Sequence, residues 1–165
     1  MIKITTNKGP IEIELNKELA PESCKNFLQY VDKGHYDNTL FHRCIPGFMV
    51  QGGGMDTDMN KKPTLAAIKN EADNGLLNDN GSVAMARTGD PHSATSQFFI
   101  NVNDNTFLNH KGQTPDGWGY CVFAKVTAGM DLVMEISTVP TGNHGGHGDV
   151  PLEQIIIEKI EQIGE

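Results

Sequence analysis

The chain has 165 residues and a formal net charge of −8, from 21 acidic against 13 basic side chains. That length suits one domain over 1–165 burying roughly two-thirds of its unfolded surface, and scattered basic residues on an acidic chain argue against nucleic acid as a partner. Three cysteines without a Cys-x-x-Cys pair argue against a disulfide framework, and no apolar run has signal-peptide or membrane-spanning length, so a cytoplasmic protein without membrane contact is expected. A monomer is expected, although the sequence does not fix the oligomeric state.

Ile2 and Ile4, then Ile11, Ile13 and Leu15, alternate with polar residues on either side of Asn7-Lys8-Gly9-Pro10. This is the pattern of a β-hairpin with one buried face. Pro21 followed by Glu22 suits the first turn of a helix. Cys24, Phe27, Leu28 and Val31 then fall at i, i+3, i+4 and i+7, and Gly34 closes the segment, so the spacing predicts a helix over 21–33. Beyond it, strands are predicted over 40–45, 49–51, 82–86, 98–101 and 120–126, and a short second helix over 130–137. The segment 154–163 has apolar residues at 155, 156, 157, 160 and 163, which partly fit both periods. Its run of β-branched residues favours a strand. Many short strands between Gly, Asn and Asp turns, with two helices to cover the open ends, predict a mainly β fold, a capped barrel. Segments 52–80 and 103–119 read as long loops, where a β scaffold often carries its binding residues.

The chemistry concentrates in Phe41-His42-Arg43-Cys44-Ile45-Pro46-Gly47-Phe48-Met49-Val50-Gln51-Gly52-Gly53-Gly54. On strands, Arg43 and Ile45 share a face, as do Met49 and Gln51. A Pro46-Gly47 turn between them brings both pairs to one site. An arginine among apolar side chains is unusual for a plain core, because buried charge is costly.

This block resembles the first signature of the cyclophilins. Ser82-Val83-Ala84-Met85-Ala86-Arg87 with Ser96-Gln97-Phe98-Phe99-Ile100 resembles the second. Asn105-Thr106-Phe107-Leu108 with Tyr120-Cys121-Val122-Phe123-Ala124-Lys125-Val126 resembles the third. The resemblance covers about residues 1–163 and is greatest to the small cytoplasmic bacterial members. It implies an eight-stranded antiparallel closed β-barrel capped by two α-helices. It implies a peptidyl-prolyl cis–trans isomerase that acts on Xaa-Pro bonds in peptides and unfolded proteins, with no cofactor. Carried over, Arg43 is the catalytic arginine. Phe48, Met49, Phe99 and Leu108 line the proline pocket. Gln51 and Gln97 are polar groove residues, with Gln51 holding Arg43. Ala86, Arg87 and Thr88 fall where substrate backbone binds.

Two positions depart from the eukaryotic pattern: Phe107 stands where those members carry tryptophan, and Tyr120 where they carry histidine. Both keep an aromatic body, but phenylalanine has no N–H to donate. That tryptophan contacts cyclosporin in the family, so weakened cyclosporin affinity is expected here. Arg87 replaces an asparagine. Trp118 lies in a stretch, 112–119, that looks inserted relative to the eukaryotic members, so its fluorescence is expected to report poorly on the site.

Other readings of the same residues are weaker. Without the flanking motif, Phe48, Met49, Phe99 and Leu108 would read as core. His42 invites a general-base role, but bond rotation needs no proton transfer, so a structural, hydrogen-bonded histidine pointing away from Arg43 is expected. His144, His147 and Asp149 have metal-ligand chemistry on a loop too glycine-rich to hold them rigidly, so only adventitious metal binding is expected. Gly52-Gly53-Gly54 lacks the Gly-Lys-Ser/Thr ending of a phosphate loop and reads as close backbone packing or a flexible turn. Cys44 and Cys121 read as small core residues. The functional rivals are a module that holds proline segments without turnover, and a chaperone whose aggregation suppression survives Arg43→Ala.

Overall fold

The computed structural model describes residues 1–164. In chain order the elements are β1 (Ile2–Thr6), β2 (Gly9–Leu15), α1 (Pro21–Asp32), β3 (Thr39–Ile45), β4 (Met49–Asp56), β5 (Ser82–Met85), β6 (Phe98–Asn101), β7 (Val122–Ala128), α2 (Met130–Ser137), β8 (Thr141–His144), β9 (His147–Pro151) and β10 (Ile156–Gln162). Eight strands close into an antiparallel barrel in the order β1-β10-β3-β4-β6-β5-β7-β2, and β8 with β9 forms a separate two-stranded sheet. The segment that fits both periods is therefore a strand. Residues 2–6 pair with it on one side and with β2 on the other, which seals the ring.

The alternation in the first hairpin does what it predicts. Ile2 pairs with Ile13 and Ile4 with Ile11, and all four point into the barrel core. Helix α1 packs on β7 and β10, burying Cys24, Phe27, Tyr30 and Val31. The Phe27 ring lies 5.2 Å from Tyr36, 5.6 Å from Phe98 and 5.2 Å from Phe123, a cluster that joins helix to sheet. The free N–H groups at the start of α1 are met by a distant side chain. The Glu71 carboxylate accepts from the Ser23 N–H at 2.7 Å and hydroxyl at 2.8 Å, and from the Glu22 N–H at 3.3 Å. Helix α2 packs on β2, β3 and β4 and buries Val133 and Ile136.

Three expectations need correction. Strand β4 does not stop at Gln51 but runs through the three glycines to Asp56. They sit in the sheet because other groups crowd them. A Cβ on Gly52 would meet the Leu40 carbonyl at 2.6 Å, and Gly53 has φ 90° under the Tyr36 ring. Strand β7 starts at Val122 and leaves Tyr120 in the approach to it. The segment holding His144 and His147 is no loose loop. Gly145 and Gly146, with φ 56° and 83°, form the two-residue turn of the β8–β9 hairpin, and the histidines are its closing pair.

Candidate active site

The β3–β4 hairpin sets the geometry. Its turn, with Gly47 at φ 71°, closes through the Phe48 N–H to the Ile45 carbonyl at 3.1 Å. Ile45 then pairs with Met49 and Arg43 with Gln51. The row continues across the sheet, Gln51 to Phe99 on β6, Phe99 to Ala84 on β5, and Ala84 to Val122 on β7. Directly paired residues share a face. Met49, Ala84, Phe99, Leu108 and Val122 form an apolar cluster separate from the barrel core, with Ile45, Phe48, Leu76, Ala86 and Tyr120 packed against it. Alternate residues Val50, Val83, Phe98 and Ile100 belong to the core instead. One sheet thus carries two apolar surfaces, and the outer one is the candidate site.

On that surface a cleft of about 130 Å³ is lined by Arg43, Phe48, Met49, Gln51, Ala86, Arg87, Phe99, Leu108 and Tyr120. Its volume is below the roughly 300–1,000 Å³ of drug-sized pockets. It suits one small ring. Arg43 is exposed and donates from Nη1 towards Gln51 Oε1 at 3.5 Å. Gln51 Nε2 donates to Gln97 Oε1 at 2.9 Å, so Gln97 acts one step removed and does not line the cleft. The Tyr120 ring meets Phe99 edge-on at 5.7 Å. The Arg87 guanidinium lies 4.5 Å from the Tyr120 ring centre, and its Nε donates to the Gly119 carbonyl at 2.9 Å. Phe107, 61% exposed, stands at the edge against Phe48, with ring centres 5.7 Å apart. Thr88 lies outside the cleft, where its hydroxyl donates to Ser93 Oγ at 2.8 Å.

A buried asparagine network that the sequence reading misses ties the walls together. Asn105 Nδ2 donates to the Phe48 carbonyl at 2.8 Å and to Asn101 Oδ1 at 2.7 Å. Asn101 Nδ2 donates to Asn78 Oδ1 at 3.0 Å and Ser82 Oγ at 2.9 Å. Asn78 Nδ2 in turn reaches the Leu108 and Tyr120 carbonyls at 3.2 and 3.1 Å. Three cleft residues from three separate segments are thereby held by one chain of amides. The available signal is three asparagines, Asn78 ahead of β5, Asn101 at the end of β6 and Asn105 just beyond it.

His42 is not the hydrogen-bonded histidine expected. It is the extra residue of an irregularity in β3, since Phe41 opposes Gly52 while Arg43 opposes Gln51. It is only 4% exposed, its Nδ1 has no hydrogen-bond partner, and its ring lies 6.1 Å from that of His147. Burial first, then the neighbouring His147 and Arg43, lowers its pKa to about 4. Burial likewise raises the thiols of Cys24 and Cys44 to about 12 and that of Cys121 to about 11, so all three are protonated at neutral pH. Among the described residues no three His, Cys, Asp or Glu side chains converge as a metal site would require. No helix among them is long and apolar enough to cross a membrane.

An apolar cleft edged by two guanidiniums and one glutamine, without a nucleophile paired to a base, can hold a small ring and hydrogen-bond an amide beside it. The family described as cyclophilin type peptidyl-prolyl cis-trans isomerase matches residues 1–162. A peptidyl-prolyl cis-trans isomerase of Streptomyces antibioticus is 58% identical over 163 residues, covering 99% of this chain and 98% of its own. Peptidyl-prolyl cis-trans isomerase B of Escherichia coli is 56% identical over 160 residues, with 97% and 98% covered. The crystal structure of a cyclophilin type isomerase from Cryptosporidium parvum, in the presence of the dipeptide Ala-Pro, has a TM-score of 0.81 at 29% identity and covers 99% of both chains. With the eight-stranded barrel and the cleft on its outer face already in place, these matches decide the matter: the chain belongs to the cyclophilin-type peptidyl-prolyl cis–trans isomerases.

Proposed function

We propose that the cleft holds the proline ring of an Xaa-Pro segment in a peptide or unfolded protein, and that Arg43 is the catalytic residue. A planar amide resists rotation by roughly 18–20 kcal/mol because its nitrogen lone pair is conjugated. Twisting ends the conjugation and leaves the nitrogen a better hydrogen-bond acceptor. A guanidinium that donates to that nitrogen binds the twisted form more tightly than the planar one, and such differential binding is what accelerates the step. Every tenfold in rate requires only about 1.4 kcal/mol of that preference. No proton transfer, covalent intermediate or cofactor enters the scheme.

The observation that carries this reading is the placement of Arg43. It is held by the Gln51–Gln97 pair at the rim of the apolar cleft. Phe48, Met49, Phe99, Leu108 and Tyr120 would grip the ring while the preceding residue swings, and the Ala86–Thr88 segment would meet the substrate backbone. Phe107 would offer only an apolar edge. The Ala-Pro dipeptide of the Cryptosporidium crystal structure is the ligand class expected here. The protein would act as a single-domain monomer in the cytoplasm.

The test is Ala-Pro exchange measured by NMR with catalytic amounts of wild type and of Arg43→Ala, each shown folded by circular dichroism. Wild type is expected to accelerate exchange, and the variant to lose about 100-fold or more, the usual effect of removing one transition-state donor. Shift changes without acceleration would mean a module that only binds proline.

A further inference from the structure

The cleft carries two guanidiniums and no carboxylate, in a chain where acids outnumber bases 21 to 13. Neither is neutralised internally: among the described residues the only ion pair is Lys8–Glu153 at 3.8 Å. Arg87 spends Nε on the Gly119 carbonyl and Nη1 on that of Thr88 at 2.8 Å. Both partners are uncharged, and they fix the group in place without cancelling its charge. Asp90, three residues along, turns its Oδ1 to the His92 N–H at 2.9 Å instead. The Arg87 Cζ lies over the Tyr120 ring, 4.5 Å from the centre, which holds the guanidinium against one wall of the cleft.

We propose that Arg87 makes this isomerase selective for prolines flanked by an acidic residue. The inference rests on the assignment of the cleft as the proline site. A guanidinium already oriented by two carbonyls and a ring loses little further freedom when a carboxylate docks on its remaining edge. Arg43 is drawn towards Gln51 and the amide, so the flanking carboxylate falls to Arg87. The overall negative charge opposes this only weakly, because charges beyond a Debye length of about 8 Å at physiological salt are largely screened.

The test uses capped peptides in which Glu, Gln or Lys precedes or follows a single proline, with kcat/KM from NMR exchange. At one of the two positions wild type should favour Glu over Gln by about fivefold, the scale of an exposed charge pair, with Lys poorest. The Glu/Gln ratio should fall towards one in about 0.5 M sodium chloride, where screening is stronger. It should also fall towards one in Arg87→Gln and stay above one in Arg87→Lys, which keeps the charge. Equal Glu and Gln rates at both positions in wild type would overturn the inference. So would a Glu preference undiminished by salt, a result that needs no variant to fold. So would a Glu preference that persists in Arg87→Gln; every ratio is taken within one protein, so these outcomes count against the acidic preference alone. Absence of turnover for every peptide would sink the cleft assignment with it.

Discussion

At the scale of the residue, the cleft depends on side chains that touch no substrate. Asn101 is fully buried and donates to Asn78 and Ser82 while accepting from Asn105. Asn101→Ala strands those partners without water, so a loss of about 2–4 kcal/mol in urea unfolding is expected. KM for an Ala-Pro peptide should rise as the Phe48 and Leu108 walls loosen. An unchanged midpoint would mean that the partners find other bonds. Phe107 carries a second prediction. Lacking a donor on an exposed edge, it should leave cyclosporin binding weak in a calorimetric titration, and Phe107→Trp should tighten it. Submicromolar binding by wild type would refute this. Arg43, Phe48, Met49 and Gln51 are legible in sequence because they sit within nine residues around one turn. The asparagine network is not, because Asn78 and Asn101 meet across 23 positions through a register that only the folded sheet defines.

Among the elements, strand β4 shows why a glycine run hides the end of a strand. Three consecutive glycines read locally as close backbone packing or as a turn, and here they are the places where Leu40, Tyr36 and Gln97 press on the strand. A Cβ on Gly53 would lie 2.7 Å from the Tyr36 ring and 3.0 Å from that of Phe98, at a positive φ. Gly53→Ala should therefore cost about 3 kcal/mol, read from the urea midpoint, with strain and overpacking acting together. A shift under 1 kcal/mol would show that the rings give way (about the error of such a comparison). The first hairpin and both helices were readable because their apolar periods are local. The β8–β9 hairpin was not, because its strands are polar and short, although its Gly-Gly turn follows a known hairpin rule. The Glu71 contact that caps α1 joins residues 48 and 49 apart and has no local signature.

For the molecule as a whole, His42 is a liability in acid. Its pKa falls from 6.5 to about 4 on folding, so the unfolded chain binds the proton first as pH drops. Stability then rises with pH between about 4 and 6.5, is full above that window, and is lost on descending through it. The shift is worth about 3 kcal/mol. Burial, then Lys62, lowers His35 in the same sense. Urea unfolding at several pH values should show this slope, and His42→Phe should flatten it. An equal slope in that variant would assign the acid sensitivity elsewhere.

The barrel seam lies between β1 and β10, so Ile2 finds its partner Gln162 only across nearly the whole chain. During synthesis the first hairpin can form early, but the ring stays open until the last strand has left the ribosome. The ring is thus closed by the pairing that spans the greatest separation in sequence. Until then the two neighbours of β10, strands β1 and β3, present unpaired edges to other nascent chains.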